Sequence, residues 1–227
     1  MQGIDSHEVT VAICVRNGEK YIEDAILSAE KQSAAAVQIL VIDDGSEDDS
    51  ASIAEKRGCT VIRQEPIGLG GARNTAFRAA VTPWIYFLDA DDLMSEDALK
   101  NLLAVVKSDV SAVGAYGFRQ NFISPELIES ISLVDAKFLE AEKSLIPSGS
   151  LWKTNLGILH KFNEESIVAD IEWIGRLREE HYHLAEAQEI VVFRRIHLNN
   201  TSSTRAAKRA YLDLALRNIR KEVQTGE

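Results

Sequence analysis

Between residues 9 and 107, runs dense in apolar and β-branched side chains alternate with stretches whose apolar residues recur at helical spacing. Residues 9–15 (V-T-V-A-I-C-V) carry apolar side chains at nearly every position, which predicts a strand buried on both faces, and the polar turn Arg16-Asn17-Gly18 follows at once. From Glu19, the positions Tyr21, Ile22, Ala25, Ile26 and Ala29 predict an amphipathic helix ending near Gln32. Residues 37–42 predict a second strand that runs into Asp43-Asp44-Gly45-Ser46. Asp48 and Asp49 are expected in the first turn of the next helix, where negative charge suits the helix dipole. Gly58 closes that helix, and residues 59–63 predict a short third strand. Three glycines, Gly68, Gly70 and Gly71, precede a helix that continues to about Ala80; such a loop can bring backbone N–H groups close to a phosphate. It is a poor dinucleotide fingerprint, because Arg73 stands where the third glycine would be and the loop does not follow the first strand. Residues 84–88 (W-I-Y-F-L) predict a fourth buried strand, and Ser95 is expected to cap a helix through Lys107 with the stripe Leu99, Leu102, Leu103 and Val106.

This order predicts an α/β fold: a mostly parallel central sheet flanked by helices. Beyond it, residues 110–118 predict a strand, residues 124–145 a segment helical in pieces, and residues 147–150 a turn. Residues 167–180 predict a helix carrying Asp170, Glu172 and Arg176, and residues 190–196 a further strand. Residues 205–223 predict an amphipathic, basic helix that packs on the body of the protein or on a second copy.

Charge and composition narrow the function. A formal net charge of -10 argues against general nucleic-acid binding, which needs a basic face. No apolar run reaches the ~18 residues that a membrane span needs, and the first residues lack the basic, apolar character of a leader. The expectation is therefore a cytoplasmic protein without a transmembrane segment, with peripheral membrane contact through the basic helix left open. Cys14 and Cys59 have no metal-binding or redox spacing and are expected as buried thiols.

The densest chemistry is Asp89, Ala90, Asp91 and Asp92, directly after the fourth strand. In open α/β sheets the carboxyl ends of strands border the ligand crevice. Clustered carboxylates repel unless something positive lies among them, and hard divalent cations take such oxygen ligands. The alternative is a solvated turn with an aspartate cap.

Taken together, V-T-V-A-I-C-V-R-N-G-E-K-Y-I, V-I-D-D-G-S, G-L-G-G-A-R-N-T-A and Y-F-L-D-A-D-D resemble, in order and spacing, the family 2 glycosyltransferases of GT-A fold. Residues 169–177 are similar to that family's acidic helix motif, and residues 194–202 to its R-x-H-x-x-N-x-S ending. The resemblance implies one GT-A domain over 1–227. Residues 8–100 would form a nucleotide-sugar donor half, 101–202 an acceptor half, and 203–227 a helical tail.

It further implies inverting transfer of a sugar from a nucleotide diphosphate, a UDP-sugar favoured, to an acceptor hydroxyl, with Mn²⁺ or Mg²⁺. Asp91 would ligate the cation, with Asp89 and His197 beside it, and Asp170 would be the catalytic base, with Glu172 as fallback. Val15, Arg16, Asn17, Asp43, Asp44, Gly70, Arg73, Asp89 and Ala90 would contact the nucleotide sugar, with Arg73 stacking on the base or pairing with a phosphate. The chain departs from the family at Cys14, usually proline, at Arg16, usually tyrosine, and at Ala169, usually a second acid. Two other readings follow: a sugar-nucleotide-binding subunit without turnover, which Ala169 would fit, and a sugar-1-phosphate nucleotidyltransferase, for which Arg16-Asn17-Gly18 is too sparse a triphosphate loop.

Overall fold

The computed structural model describes residues 8–33, 37–128, 136–198, 200 and 209. Its elements are β1 (Val9–Val15), α1 (Ile22–Glu30), β2 (Val37–Asp43), α2 (Ser50–Lys56), β3 (Thr60–Arg63), α3 (Leu69–Ala79), β4 (Trp84–Asp89), β5 (Leu93–Met94), α4 (Ala98–Ser108), β6 (Gly114–Ile123), α5 (Pro125–Ile128), β7 (Glu142–Ser144), β8 (Ser150–Lys153), α6 (Thr154–Leu159), α7 (Ala169–Glu179) and β9 (Leu184–Ile196), with a 3-10 turn at Ala136–Leu139. The strands form one sheet in the order β3-β2-β1-β4-β8-β6-β9-β5, with β7 on the flank of β6. From β3 to β4 every pairing is parallel, as the alternation of strand and helix predicts. Beyond β4 the sheet is mixed: β8 lies antiparallel between β4 and β6, β9 runs parallel to β6, and β5 closes the far edge antiparallel to β9.

The period of two along β1 divides the core. Val9, Val11, Ile13 and Val15 pack with the apolar stripes of α1 and α4, whereas Ala12 and Cys14 pack on the opposite face with α3, α6 and α7. All seven residues of β1 are buried, so a continuous apolar run is what its central position requires. On the α3 side the core is aromatic. Trp173 stacks on Phe162 at 4.7 Å between ring centroids and meets Trp152 edge-on at 4.7 Å, and Phe77 meets Phe87 edge-on at 5.0 Å.

Several local expectations are corrected. The strand predicted over 110–118 is β6, shifted to Gly114–Ile123, because Asp109 accepts the Ser111 amide and hydroxyl in a side-chain turn that leaves Val110 87% exposed. Ser95 does not cap α4; its hydroxyl donates to the Ile190 carbonyl, and Asp97 holds the cap position. Asp48 and Asp49 precede α2 rather than sitting in its first turn, and Asp48 accepts the amides of Glu19 and Ser50, which ties the loop after β1 to the loop after β2. Gly70 and Gly71 lie inside α3, with only Gly68 before it. The segment 124–145 holds a strand, β7, besides α5 and the 3-10 turn, and β8 and α6 follow the turn expected over 147–150, where no element was predicted. Residues 129–135 and the basic helix expected over 205–223, Arg209 apart, lie outside the described residues.

Trp173→Ala should lower the unfolding free energy by about 3–5 kcal/mol, the usual range for removing a large buried aromatic. Ile171→Ala, on the exposed face of the same helix, should change it by no more than about 0.5 kcal/mol. Urea denaturation followed by tryptophan-independent circular dichroism checks both.

Candidate active site

Strand register gathers the polar residues at one edge of the sheet. Cys14 of β1 is opposite Asp89 of β4, and Val15 is opposite Asp43 of β2, so the ends of three neighbouring parallel strands lie side by side. That edge is where an open α/β sheet receives a ligand. The exit loops of β1 and β2 are laced together: Asn17, at φ 54°, accepts the Glu47 amide at 2.8 Å and donates its own amide to Ser46 at 3.0 Å, while the Gly18 amide donates to Ser50 at 2.8 Å. Arg16 is exposed beside them.

The two aspartates at the end of β2 have different surroundings. Asp44 accepts from the Gln64 side chain at 2.7 Å and from the amides of Ile67 and Gly68 at 2.9 and 2.8 Å, so its carboxylate shapes the loop leading into α3. Asp43 is buried at the strand end and accepts the Ser46 amide at 3.0 Å.

After β4 the chain turns tightly, with the Asp92 amide bonded to the Asp89 carbonyl at 3.0 Å. Carboxylate oxygens of Asp89, Asp91 and Asp92 come within 4.8 Å of one another. Each faces differently. Asp89, whose amide donates to Ser148 at 3.0 Å, also pairs with Arg73 at 3.1 Å. Ser148 reaches that place because Gly149, at φ 80°, turns the chain so that its amide donates to the Phe87 carbonyl. Asp91 receives the His197 Nε2 at 2.9 Å. Asp92 turns inward and accepts the Arg195 amide at 2.9 Å.

Burial pushes the Asp89 carboxyl up to about 6, opposed by Arg73 and reinforced by Asp91 and Asp170. Burial, then repulsion from Asp89 and Asp91, raises Asp92 well above the ordinary carboxylate range. The Cys14 thiol, pushed up to about 12 chiefly by burial, stays a neutral packing group, and Cys59 is a free, half-buried thiol. A hard divalent cation fits this donor set: oxygen ligands converge with more negative charge than Arg73 offsets, and an imidazole stands next to one of them.

Arg73 is the surprise among the expected nucleotide contacts. It is 1% exposed, paired with Asp170 of α7 as well as with Asp89, and lies 5.7 and 5.6 Å from the ring centroids of Phe87 and Phe162. A guanidinium so enclosed is a strut between the end of β4 and the first turn of α7, not an exposed face for a nucleobase. Its neighbours reinforce the join. Asn74 donates to the Phe162 carbonyl at 3.0 Å and accepts the Phe162 amide at 2.8 Å. A Cβ on Gly70 would stand 2.6 Å from the Asn163 carbonyl and 3.2 Å from the Ala169 Cβ, so Gly70 permits close packing of α3 on α7 and the loop before it, and position 169 is a buried packing position. Glu172 faces away from Asp170 and accepts from Asn163 at 3.3 Å.

Sequence reasoning missed Arg195 and Asn200 as working parts, although both stand in the quoted ending motif. Arg195 donates through Nε to the Asp91 carbonyl and through Nη2 to Asp24, each at 2.9 Å, besides its amide bond to Asp92. Asn200 accepts the His197 amide at 2.7 Å and donates to the Arg195 carbonyl at 3.0 Å. The structure thus brings together Asp89, Asp91, Asp92, Arg73, Asp170 and His197. Asn199, Thr201 and Ser202 lie outside the described residues.

Residues 10–156, more than half of the chain, match the model of the family described as Glycosyl transferase family 2. The uncharacterized glycosyltransferase EpsJ of Bacillus subtilis is 29% identical over 155 residues, covering 63% of this chain and 45% of its own length. The chondroitin synthase of Escherichia coli is 31% identical over 118 residues, covering 50% of this chain and 17% of its own length. Staphylococcus aureus TarS 1–349 in complex with UDP-GlcNAc superposes with a TM-score of 0.69 at 20% identity, over 87% of this chain and 61% of that one. The mannosyltransferase PcManGT of Pyrobaculum calidifontis, in complex with GDP-Man and Mn²⁺, superposes with a TM-score of 0.67 at 18% identity, over 90% and 61% of the two chains. This chain therefore spans less than half the length of these curated relatives, and the structural likeness bears on the fold.

Arg73→Met should destabilise the protein by about 3 kcal/mol, at the low end for breaking a buried ion pair because Asp89 and Asp170 keep some access to water; urea unfolding checks it. Proton competition at Asp89 should make Mn²⁺ affinity fall by up to about tenfold per pH unit below about 6 and level off above it, as read by calorimetry between pH 5 and 8. In the metal-free protein the sign reverses: the folded chain holds the Asp89 proton more tightly than the unfolded chain, so this contribution to stability is full below the free-carboxylate range and lost as pH rises through about 6.

Proposed function

The chain belongs to glycosyl transferase family 2, and on that premise we propose that it is a metal-dependent, inverting glycosyltransferase that moves a sugar from a nucleotide diphosphate to an acceptor hydroxyl. The observation that carries this reading is the convergence, at the carboxyl edge of the parallel strands, of a cation-binding acidic turn with Asp170 from the opposite half of the molecule. Asp91, Asp89 and His197 would hold the cation. The imidazole makes Mn²⁺ a better match than Mg²⁺. When bound, such an ion supplies Lewis-acid stabilisation of the negative charge that grows on a departing diphosphate.

The remaining work falls to the chain. Inversion needs a base on the face opposite the leaving group, and Asp170 is the carboxylate of the acceptor half that reaches the same strut as Asp89. It would take the hydroxyl proton on a carboxylate oxygen as the new bond forms. Arg73 holds its side chain in orientation, and the packed Ala169 beside it is consistent with one acid acting where the family usually has two.

On the nucleotide side Asp43 is better suited than Asp44 to meet a base, because Asp44 is engaged in holding the loop before α3. A carboxylate accepting an imide N–H favours uracil or thymine, so a UDP-sugar is the preferred donor. Val15 ends β1 and Arg16 and Asn17 follow it, Ala90 follows β4, and these four would complete the donor contacts. Among the described residues no helix is long and apolar enough to cross a membrane.

Calorimetric titration of UDP, GDP, CDP and dTDP, each with and without Mn²⁺, should give metal-dependent binding of one diphosphate that is lost in Asp91→Ala. Asp170→Asn should keep that binding and lose about 10²- to 10⁴-fold in sugar transfer from the matching donor. Binding with no transfer that Asp170→Asn alters would instead favour a binding subunit. No diphosphate binding at all would overturn both.

A further inference from the structure

His197 follows directly on the last residue of β9, past the reach of the sheet's ladder, so its ring takes its orientation from side-chain contacts. One of these comes from the far side of the site. The Tyr21 ring, at the residue just before α1, lies 4.6 Å from the imidazole between centroids at an interplanar angle of 44°. The Arg195 guanidinium lies 4.8 Å from the same tyrosine ring, and Arg195 is itself bonded to Asp24 of α1, to the Asp91 carbonyl and to Asp92.

The tyrosine is anchored at both ends. Its amide donates to the Gly18 carbonyl at 3.0 Å, and its hydroxyl donates to Glu126, which also takes Lys20 at 2.6 Å and the Ser124 hydroxyl. Lys20, Ser124 and Tyr21 hold the Glu126 carboxyl well below the ordinary range, so the acceptor of that bond stays ionised. The α1 entrance, the start of α5 and the exit of β9 therefore meet on one aromatic ring.

We propose that Tyr21 is a positioning residue of the cation site: its anchored ring holds the His197 imidazole against Asp91. The consequence for the cation rests on the metal reading above, whereas the hold on the imidazole is a property of the ion-free chain. A ring fixed in this way presents Nε2 to the place where a cation shared with Asp91 would sit, and partners that orient a ligand are worth about 10- to 100-fold in metal affinity. Tyr21 touches neither donor nor acceptor in this scheme. It acts through His197.

The test uses metal-free protein labelled with ¹⁵N-histidine, at pH 8, alongside Tyr21→Leu, Tyr21→Phe, His197→Ala and the double variant Tyr21→Leu/His197→Ala. Long-range ¹H–¹⁵N spectra should show one Nε2–H tautomer of His197 in the wild type and averaged tautomers in Tyr21→Leu, with Tyr21→Phe, which keeps the ring and loses only its hydroxyl anchor, between the two. Mn²⁺ affinity should be about tenfold weaker in Tyr21→Leu, weakened by less than that in Tyr21→Phe, and no weaker in the double variant than in His197→Ala. Tyr21→Met should repeat the leucine result and serves if the leucine variant does not fold. Wild-type imidazole signals in Tyr21→Leu would overturn the proposal, as would losses in the double variant that simply add. If the wild type binds no cation while Tyr21→Leu still averages the tautomers, the metal reading falls and the hold of Tyr21 on His197 stands.

Discussion

A guanidinium removed from water must be surrounded by acceptors, and here the acceptors come from two elements far apart in the sequence. Arg73 is enclosed between Asp89 at the end of β4 and Asp170 in the first turn of α7, with Phe87 and Phe162 beside it. Burying such a charge is tolerable only when it is paired, so folding α3 onto the sheet and docking α7 are linked events. The linkage sets the distance between the Asp89 and Asp170 carboxylates. Asn74 and Gly70, one residue after Arg73 and three before it, use hydrogen bonds and the lack of a side chain to make the same join.

A second consequence is electrostatic. Parallel strands of equal reach bring Asp43 and Asp89 to one edge, and the tight turn after β4 adds Asp91 and Asp92. Arg73 and Arg195 approach this cluster from opposite halves of the sheet, but Arg195 spends its guanidinium on Asp24 and on a carbonyl and only its amide on Asp92. Burial is the chief cause of the raised Asp89 and Asp92, and repulsion among the clustered carboxylates adds to it. An acidic edge that favours protons also favours a divalent cation, which is the physical basis for reading the turn as a metal site rather than a solvated cap.

Much of the region from β1 to α4 was legible because its elements carry local signals. Strands buried on both faces need unbroken apolar runs, and amphipathic helices need a stripe, so β1, β2, β4, α1 and α4 are found where the pattern predicts them. The elements that went unseen, β5, β7, β8 and α6, are two to six residues long; the strands are held by pairing with strands distant in sequence, and α6 packs its Gly157 against Phe77 of α3. Ser95 and Asp97 show the same limit at one residue's scale: both are good caps by type, and the choice fell to the Ile190 carbonyl, which takes the serine hydroxyl.

The sequence by itself determined the class of fold, the family and the acidic turn at a strand end, because these rest on periodicity and on motifs read within a few residues. Only the tertiary structure decided where the motif residues lie and what they touch: that Arg73 is buried between Asp89 and Asp170, that Asp44 holds a loop, that Asp92 faces β9, and that Tyr21 meets His197. Each of those roles depends on which partner lies opposite, and the partners are separated from their residues by tens to well over a hundred positions along the chain. Strand register and helix docking bring them together, and which element lies opposite a residue depends on parts of the chain far from it in sequence.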